Sequence, residues 1–231
     1  MKRPLRNKKF FIPFLFILLF LISACKAHPQ NDNDNPSEGK EETIKIAAVG
    51  DSITFEYTPD TDYPKKLNDL LGEDYIVENF GVSNYAAQSS SDFPYETTEA
   101  YQESLAFEPN IVLIMLGTND TKSTNWQGTE EFKEEYTDLI NDYLALESVS
   151  RVILASPPTV FLETVFEGSI VSEKIIPIRN TIQVVASEYE LEFVDMTKQT
   201  KNHPEWFFDG LHPNAEGTEE IAQIFYQQIK P

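Results

Sequence analysis

Ser52 lies just beyond the apolar run Ile44-Lys45-Ile46-Ala47-Ala48-Val49, in the tripeptide Gly50-Asp51-Ser52, and Asp209-Gly210-Leu211-His212 stands near the other end of the chain. A serine hydroxyl is a poor nucleophile until a neighbouring base takes its proton, and a histidine oriented by a carboxylate is the usual base near neutral pH. The residue types and their order read as a split hydrolytic triad, with Ser52 as nucleophile, His212 as base and Asp209 as the group that fixes the imidazole. Two further stations lie between them, Asn79-Phe80-Gly81 and Gly117-Thr118-Asn119-Asp120. An oxyanion hole needs donors aimed at charge that appears only in the transition state. The Gly81 backbone N–H and the Asn119 carboxamide are candidates, with the Ser52 amide as a third.

Each assignment has an ordinary rival. The three histidines are His28, His203 and His212. His28 sits in a polar, structureless stretch and His203 precedes Pro204 in a loop, which leaves His212 as the favoured base. Asp209 would otherwise be a turn or capping aspartate, and a glycine after a strand is commonly only a turn. Trp126, Trp206, Phe207 and Phe208 either line an acyl or sugar pocket or pack in the core. Asp60 and Asp62 read as a turn before Pro64 rather than as metal ligands. The chain has no Gly-x-Ser-x-Gly elbow, phosphate-binding Gly-Lys-Ser/Thr loop, His-Glu-x-x-His or Gly-x-Gly-x-x-Gly motif, which disfavours an ordinary α/β-hydrolase, an NTPase, a zincin and a dinucleotide-binding enzyme.

The elements that must position these residues alternate between apolar runs and amphipathic stretches, the pattern of crossover units around a parallel sheet. Strands are predicted at Thr43–Val49, Tyr75–Phe80, Ile111–Leu116, Arg151–Ser156 and Leu191–Asp195. Helices are predicted at Tyr63–Leu71, around Tyr95–Phe107, at Glu130–Leu146, at Glu173–Tyr189 with an irregularity near Pro177, and at Ala215–Ile229. Ile111 to Leu116 is unbroken apolar sequence, as expected of a central strand covered on both faces. Five strands with interleaved helices imply a three-layer α/β/α sandwich. In such sheets sites collect at the carboxyl ends of the strands. Ser52, Gly81 and Asn119 each follow a strand and so reach the same edge.

The first residues have the layout of an export signal, Lys2, Arg3, Arg6, Lys8 and Lys9 followed by the apolar stretch Phe10 to Ile22. It ends in Ile22-Ser23-Ala24-Cys25, which resembles a bacterial lipobox, and Cys25 is the single cysteine. The expected organisation is a lipoprotein signal over 1–24, a lipidated Cys25 with a flexible acidic tether over 25–42, and one catalytic domain over 43–231. The location expected from this is extracytoplasmic, with a lipid anchor at the bacterial cell membrane. The formal net charge is −20, and without the five basic residues of the signal 13 basic stand against 38 acidic residues. That surface repels nucleic acid and anionic headgroups, so no nucleic-acid role is expected. No oligomeric state follows from the sequence.

Gly50-Asp51-Ser52-Ile53-Thr54, Asn79-Phe80-Gly81-Val82-Ser83, Gly117-Thr118-Asn119-Asp120 and Asp209-Gly210-Leu211-His212-Pro213-Asn214 resemble the four signature blocks of the SGNH hydrolases, the GDSL-type esterases and lipases. The resemblance spans about Thr43 to Ile229. It implies a flavodoxin-like five-stranded parallel sheet and an acyl-serine intermediate on Ser52, with no metal or cofactor. It also implies Ser52, Gly81 and Asn119 as oxyanion donors and Asp209 and His212 as the partners of the serine. One departure is Val82-Ser83-Asn84-Tyr85, where relatives often have a small Gly-Ala-Thr-like turn. Asn84 and Tyr85, together with Trp126, are therefore candidates for shaping the substrate cleft. The expected function is a serine esterase removing short acyl groups, acetyl foremost, from a carbohydrate or similar polar ester. The alternatives are a lysophospholipase or thioesterase, or a surface lipoprotein that binds a glycan or partner without turnover.

Overall fold

A computed structural model of the chain describes residues 43–161 and 169–230. The expected signal, Cys25 and the whole of the expected tether lie outside the described residues.

Five strands form one parallel sheet: β1 (Ile44–Gly50), β2 (Tyr75–Gly81), β3 (Ile111–Met115), β4 (Arg151–Ala155) and β5 (Glu192–Val194), in the order β2-β1-β3-β4-β5. Side chains alternate across a strand, so an unbroken apolar run serves two layers at once. Ile111, Leu113 and Met115 join Ile46 and Ala48 in a core with α1 (Tyr63–Leu71) and α6 (Ala215–Ile229), through Tyr63, Leu67, Ile221 and Phe225. Val112, Ile114 and Leu116 join a second core with α2 (Glu99–Ala106), α3 (Thr129–Leu144) and α4 (Ile175–Glu188), through Tyr101, Phe132, Tyr136, Ile140, Ile178 and Ile182. The result is the three-layer sandwich expected from the sequence. Burying each large apolar side chain contributes ~1.5–3 kcal/mol, which favours two filled layers over one.

Two helices differ from expectation for local reasons. The segment from Tyr95 begins as a 3₁₀ turn, and α2 starts only at Glu99. Thr98 between them is extended (ψ 156°) and its hydroxyl accepts the Tyr101 N–H at 3.0 Å, a side-chain cap that resets the helix start. Pro177 causes no break, because it falls in the first turn of α4, where its missing N–H would have no partner within the helix. A short helix, α5 (Met196–Thr200), has too few residues to show periodicity and has no counterpart in the sequence reading.

The chain leaves β1 for β2 on one side and then crosses to β3 on the other. The carboxyl ends of β1 and β3 therefore flank the crevice where ligands bind in open α/β sheets. Ser52 follows β1 and Asn119 follows β3.

Candidate active site

Ser52 sits on the turn that leaves β1. The Asp51 carbonyl accepts the amides of Thr54 (3.1 Å) and Phe55 (2.9 Å), and the Asp51 carboxylate accepts that of Ile53 (3.0 Å). The turn closes over Gly50 and Gly81, which are paired across β1 and β2. A Cβ on Gly50 would stand 2.0 Å from Thr54 Oγ1, and one on Gly81 would stand 2.4 Å from the Phe55 nitrogen. Glycine at both positions lets the serine turn lie directly on the strand ends.

His212 arrives from the loop before α6. A bridge pairs Phe207 with Pro213, the Phe208 amide donates to the His212 carbonyl at 3.1 Å, and Gly210 takes a left-handed φ of 80°. Asp209 Oδ1 accepts the amides of Leu211 (2.9 Å) and His212 (2.6 Å), and Oδ2 lies 2.7 Å from His212 Nδ1. His212 Nε2 lies 2.9 Å from Ser52 Oγ. An ionised carboxylate can only accept, so Nδ1 carries the imidazole proton and Nε2 turns its lone pair to the hydroxyl. Burial is the largest influence on the Asp209 carboxyl and pushes its pKa up. The His212 ring, the two amides and the nearby imidazole charge outweigh it and hold the carboxyl below its usual value. The chain Asp209–His212–Ser52 can thus move a proton off the serine at neutral pH.

Tyr57 was not anticipated. Its ring lies flat on His212, with centroids 3.8 Å apart and planes 2° apart, and Phe208 stands 6.1 Å from the imidazole at 21°. Both aromatic rings remain open to solvent, Tyr57 at 42% and Phe208 at 50%.

Asn119 is buried beside Ser52, and its carboxamide donates one N–H to the Tyr85 carbonyl at 2.9 Å, which fixes its orientation and leaves a second N–H. The expectation for Gly81 needs correction. Its N–H is donated to Asn79 Oδ1 at 2.9 Å, while Asn79 Nδ2 reaches the Thr54 carbonyl (2.8 Å) and Asp62 (3.1 Å). Gly81 therefore serves close packing and the Asn79 knot, not an oxyanion. Gly81→Ala is expected to destabilise the protein by about 3 kcal/mol, since overpacking against backbone has no flexible side chain to yield. For a domain of this size that lowers Tm by roughly 6–12 °C in a thermal melt. An unchanged Tm would contradict the contact.

A cleft of about 230 Å³ joins these groups, lined by Ser52, Tyr57, Ser83, Asn84, Asn119, Lys122, Leu211 and His212 together with Ser169 and Ile170. Asn84 takes the wall position expected of it. Tyr85 and Trp126 do not line this cleft: Tyr85 contributes its carbonyl to Asn119 and its ring meets Phe93 edge-on, and Trp126 packs on the second core under the Lys174 ammonium. His203 bonds Glu205 and stacks on Trp206, which takes both out of contention. Lys122 was also missed, although a lysine directly after Asn119-Asp120-Thr121 in so acidic a chain was a usable signal. A larger groove of about 410 Å³ beside α4 and α5 holds none of the triad, so size does not mark the site.

Asp120 is fully buried one residue beyond Asn119. Burial pushes its pKa up to about 6 against the pull of the Ala87 and Gln88 amides, which it accepts at 3.0 and 2.9 Å. It ties the loop after β2 to the turn after β3.

Residues 48–219 match the model of the GDSL-like Lipase/Acylhydrolase family. The chain is 32% identical to an acetylxylan esterase of Xylanibacter ruminicola over 214 residues, covering 83% of this chain and 44% of that protein. It is 24% identical to a multidomain esterase of Ruminococcus flavefaciens, covering 81% of this chain and 28% of that protein. The chain thus spans less than half the length of these curated relatives. The solved structure of Est24, a carbohydrate acetylesterase from Sinorhizobium meliloti, shares the fold with a TM-score of 0.65 at 20% identity, over 81% of this chain and 98% of that one. With its sheet order and signature blocks in place, the chain belongs to the GDSL-like lipase/acylhydrolase family.

Proposed function

We propose that this protein is a serine esterase that removes acetyl groups from a carbohydrate. The observation that carries the reading is the 2.9 Å contact between Ser52 Oγ and His212 Nε2, backed by Asp209. In this mechanism Ser52 Oγ attacks the ester carbonyl as His212 Nε2 takes its proton, and Asp209 stabilises the imidazolium. The tetrahedral oxyanion meets the Ser52 amide and the remaining Asn119 N–H. Collapse breaks the bond to the alcohol, which leaves with the proton from His212. Water, deprotonated by the same imidazole, then releases acetate and restores the serine.

Two features favour a short acyl group on a sugar. The cleft of about 230 Å³ is small, and Ser83, Asn84, Asn119 and Lys122 bring polar groups to a wall shared with Tyr57, Ile170 and Leu211, which suits acetyl better than a long chain. The alcohol must leave on the His212 side, and there Tyr57 and Phe208 offer exposed, nearly parallel faces of the kind that pack against a pyranose ring. The acetylxylan esterase among the relatives points the same way. The test compares 4-nitrophenyl acetate, butyrate and palmitate and follows acetate release from acetylated xylan. Acetate is expected to be the best acyl group; a palmitate preference would replace this reading with the lipid-ester alternative.

We further propose that the protein is held at the extracytoplasmic membrane face through a lipidated Cys25. Cys25→Ser is expected to move it from the detergent phase to the aqueous phase in Triton X-114 partitioning. Unchanged partitioning would contradict the anchor.

A further inference from the structure

We propose that the groove beside α4 and α5 holds a carboxylate-bearing sugar, a uronic acid side group of the acetylated polymer, with Lys198 and Lys201 as its anion-binding residues. The inference rests on the carbohydrate esterase reading above and narrows the class of polymer.

The groove, about 410 Å³, opens at the carboxyl ends of β4 and β5, the edge on which ligands gather in such sheets. Val160, Ile175 and Ile176 give it an apolar floor, and Ile176 stays 52% exposed although its helix packs on the sheet. Ser172 and Asn180 stand on the same wall. The Ser172 hydroxyl and the Asn180 amide N–H groups make no hydrogen bond among the described residues. An apolar floor with a few polar groups suits a sugar ring, which offers C–H faces to the one and hydroxyls to the other.

Charge decides which kind of sugar. Asp195, the carboxylate among the lining residues, is gripped on both oxygens by Arg179, so that pair adds no net charge. Lys198 and Lys201 remain. They lie three residues apart on α5, whose helical backbone continues through Lys201, and both face the groove. Other cations of the domain are already engaged. Lys122 donates to Asn84 Oδ1 at 2.7 Å and to the Asn84 carbonyl at 3.2 Å, and pairs with Asp92. The rest pair with carboxylates, donate to carbonyls or lie over rings, so that among the described residues Lys65, Lys198 and Lys201 are the basic side chains without such a partner. Two of these three meet in one groove, in a chain with 38 acidic residues to draw on. Like charges at this spacing repel, and a carboxylate set between them reverses the sign of the interaction.

The groove adjoins the catalytic cleft. Ser169 and Ile170 line the cleft and Ser172 lines the groove, while the Val171 amide between them is donated to Thr121 Oγ1 at 3.2 Å. On the other wall Thr159 and Val160 lead to Phe161, whose amide donates at 2.8 Å to the carbonyl of Gly210, between Asp209 and His212. A polymer can therefore lay one sugar in the groove while an acetyl group further along it enters the cleft.

The experiment follows hydrolysis by the full chain of two acetylated xylans of matched acetyl content, with and without glucuronic acid side groups, and of 4-nitrophenyl acetate. The acidic polymer is expected to show a KM about 3–10-fold lower than the neutral one, an advantage lost by about 0.5 M NaCl. Lys198→Gln combined with Lys201→Gln is expected to raise KM on the acidic polymer by about the same factor, and to leave the neutral polymer and 4-nitrophenyl acetate within about twofold. Equal KM for the two polymers with the wild type, or equal losses on both with the double variant, would overturn the proposal. Direct binding gives a second readout. Ser52→Ala leaves the polymer intact and is expected to be retarded in native gels containing the acidic xylan, with both lysine changes releasing it; free migration of Ser52→Ala would also overturn the proposal. Failure of the esterase reading looks different, since no acetate would be released from any substrate while retardation in the gel still reports on the groove.

Discussion

Ser52→Ala is expected to lower kcat roughly 10⁶-fold, and His212→Ala to do nearly the same, because residues that act as one unit fail together. The Oγ–Nε2 contact of 2.9 Å leaves no room for a second nucleophile between them, so either loss removes the whole proton path. The double variant is expected to be no slower than either single one. Residual rate above water should persist in all three, since Asn119 and the Ser52 amide remain to receive the oxyanion. Steady-state rates with 4-nitrophenyl acetate decide the matter. A double variant slower than both singles by the product of their losses would mean that Ser52 and His212 act independently.

Asp209→Asn is expected to lower kcat about 10⁴-fold while the protein stays folded. Asn Oδ1 can still accept the Leu211 and His212 amides, so the loop keeps its shape. The atom facing His212 Nδ1 becomes an NH₂ group, which donates where the carboxylate accepted. Nδ1 must then turn its lone pair to the amide and Nε2 must carry the proton, which points a hydrogen at Ser52 Oγ instead of a base. The loss should ease at high pH, where hydroxide assists the serine directly. A second readout is acid stability. The Asp209 carboxyl is held below its unfolded value, so its contribution is present above that value and is lost as pH falls through the folded one. The variant should therefore lose less stability than the wild type in acid. A kcat within about tenfold of the wild type would remove Asp209 from the proton path.

The sheet and the triad were legible in the sequence because their signals survive without knowledge of neighbours. Ile111 to Met115 is apolar on both faces and has no other plausible home than the centre of a covered sheet. Ser52 and Asn119 could be brought to one rim on paper because topology alone delivers strand ends there, whereas His212, 160 residues from Ser52, was found by setting aside the other two histidines. Gly81 was misread for a local reason: Asn79, two residues earlier, captures the amide that would have faced the substrate. Tyr57 and Lys122 carried no periodic signal. Their roles depend on a ring laid on His212 and an ammonium closed on Asn84, contacts between loops whose approach no spacing rule reports.

The fastening of residues 84–88 to the turn at 119–122 bears on how such enzymes can be re-engineered. Neither segment is a self-sufficient cassette. A chimera that imports one from a homologue would leave a carboxylate, a carboxamide and an ammonium beneath the pocket with their counterparts gone, so the two are best exchanged as a matched pair.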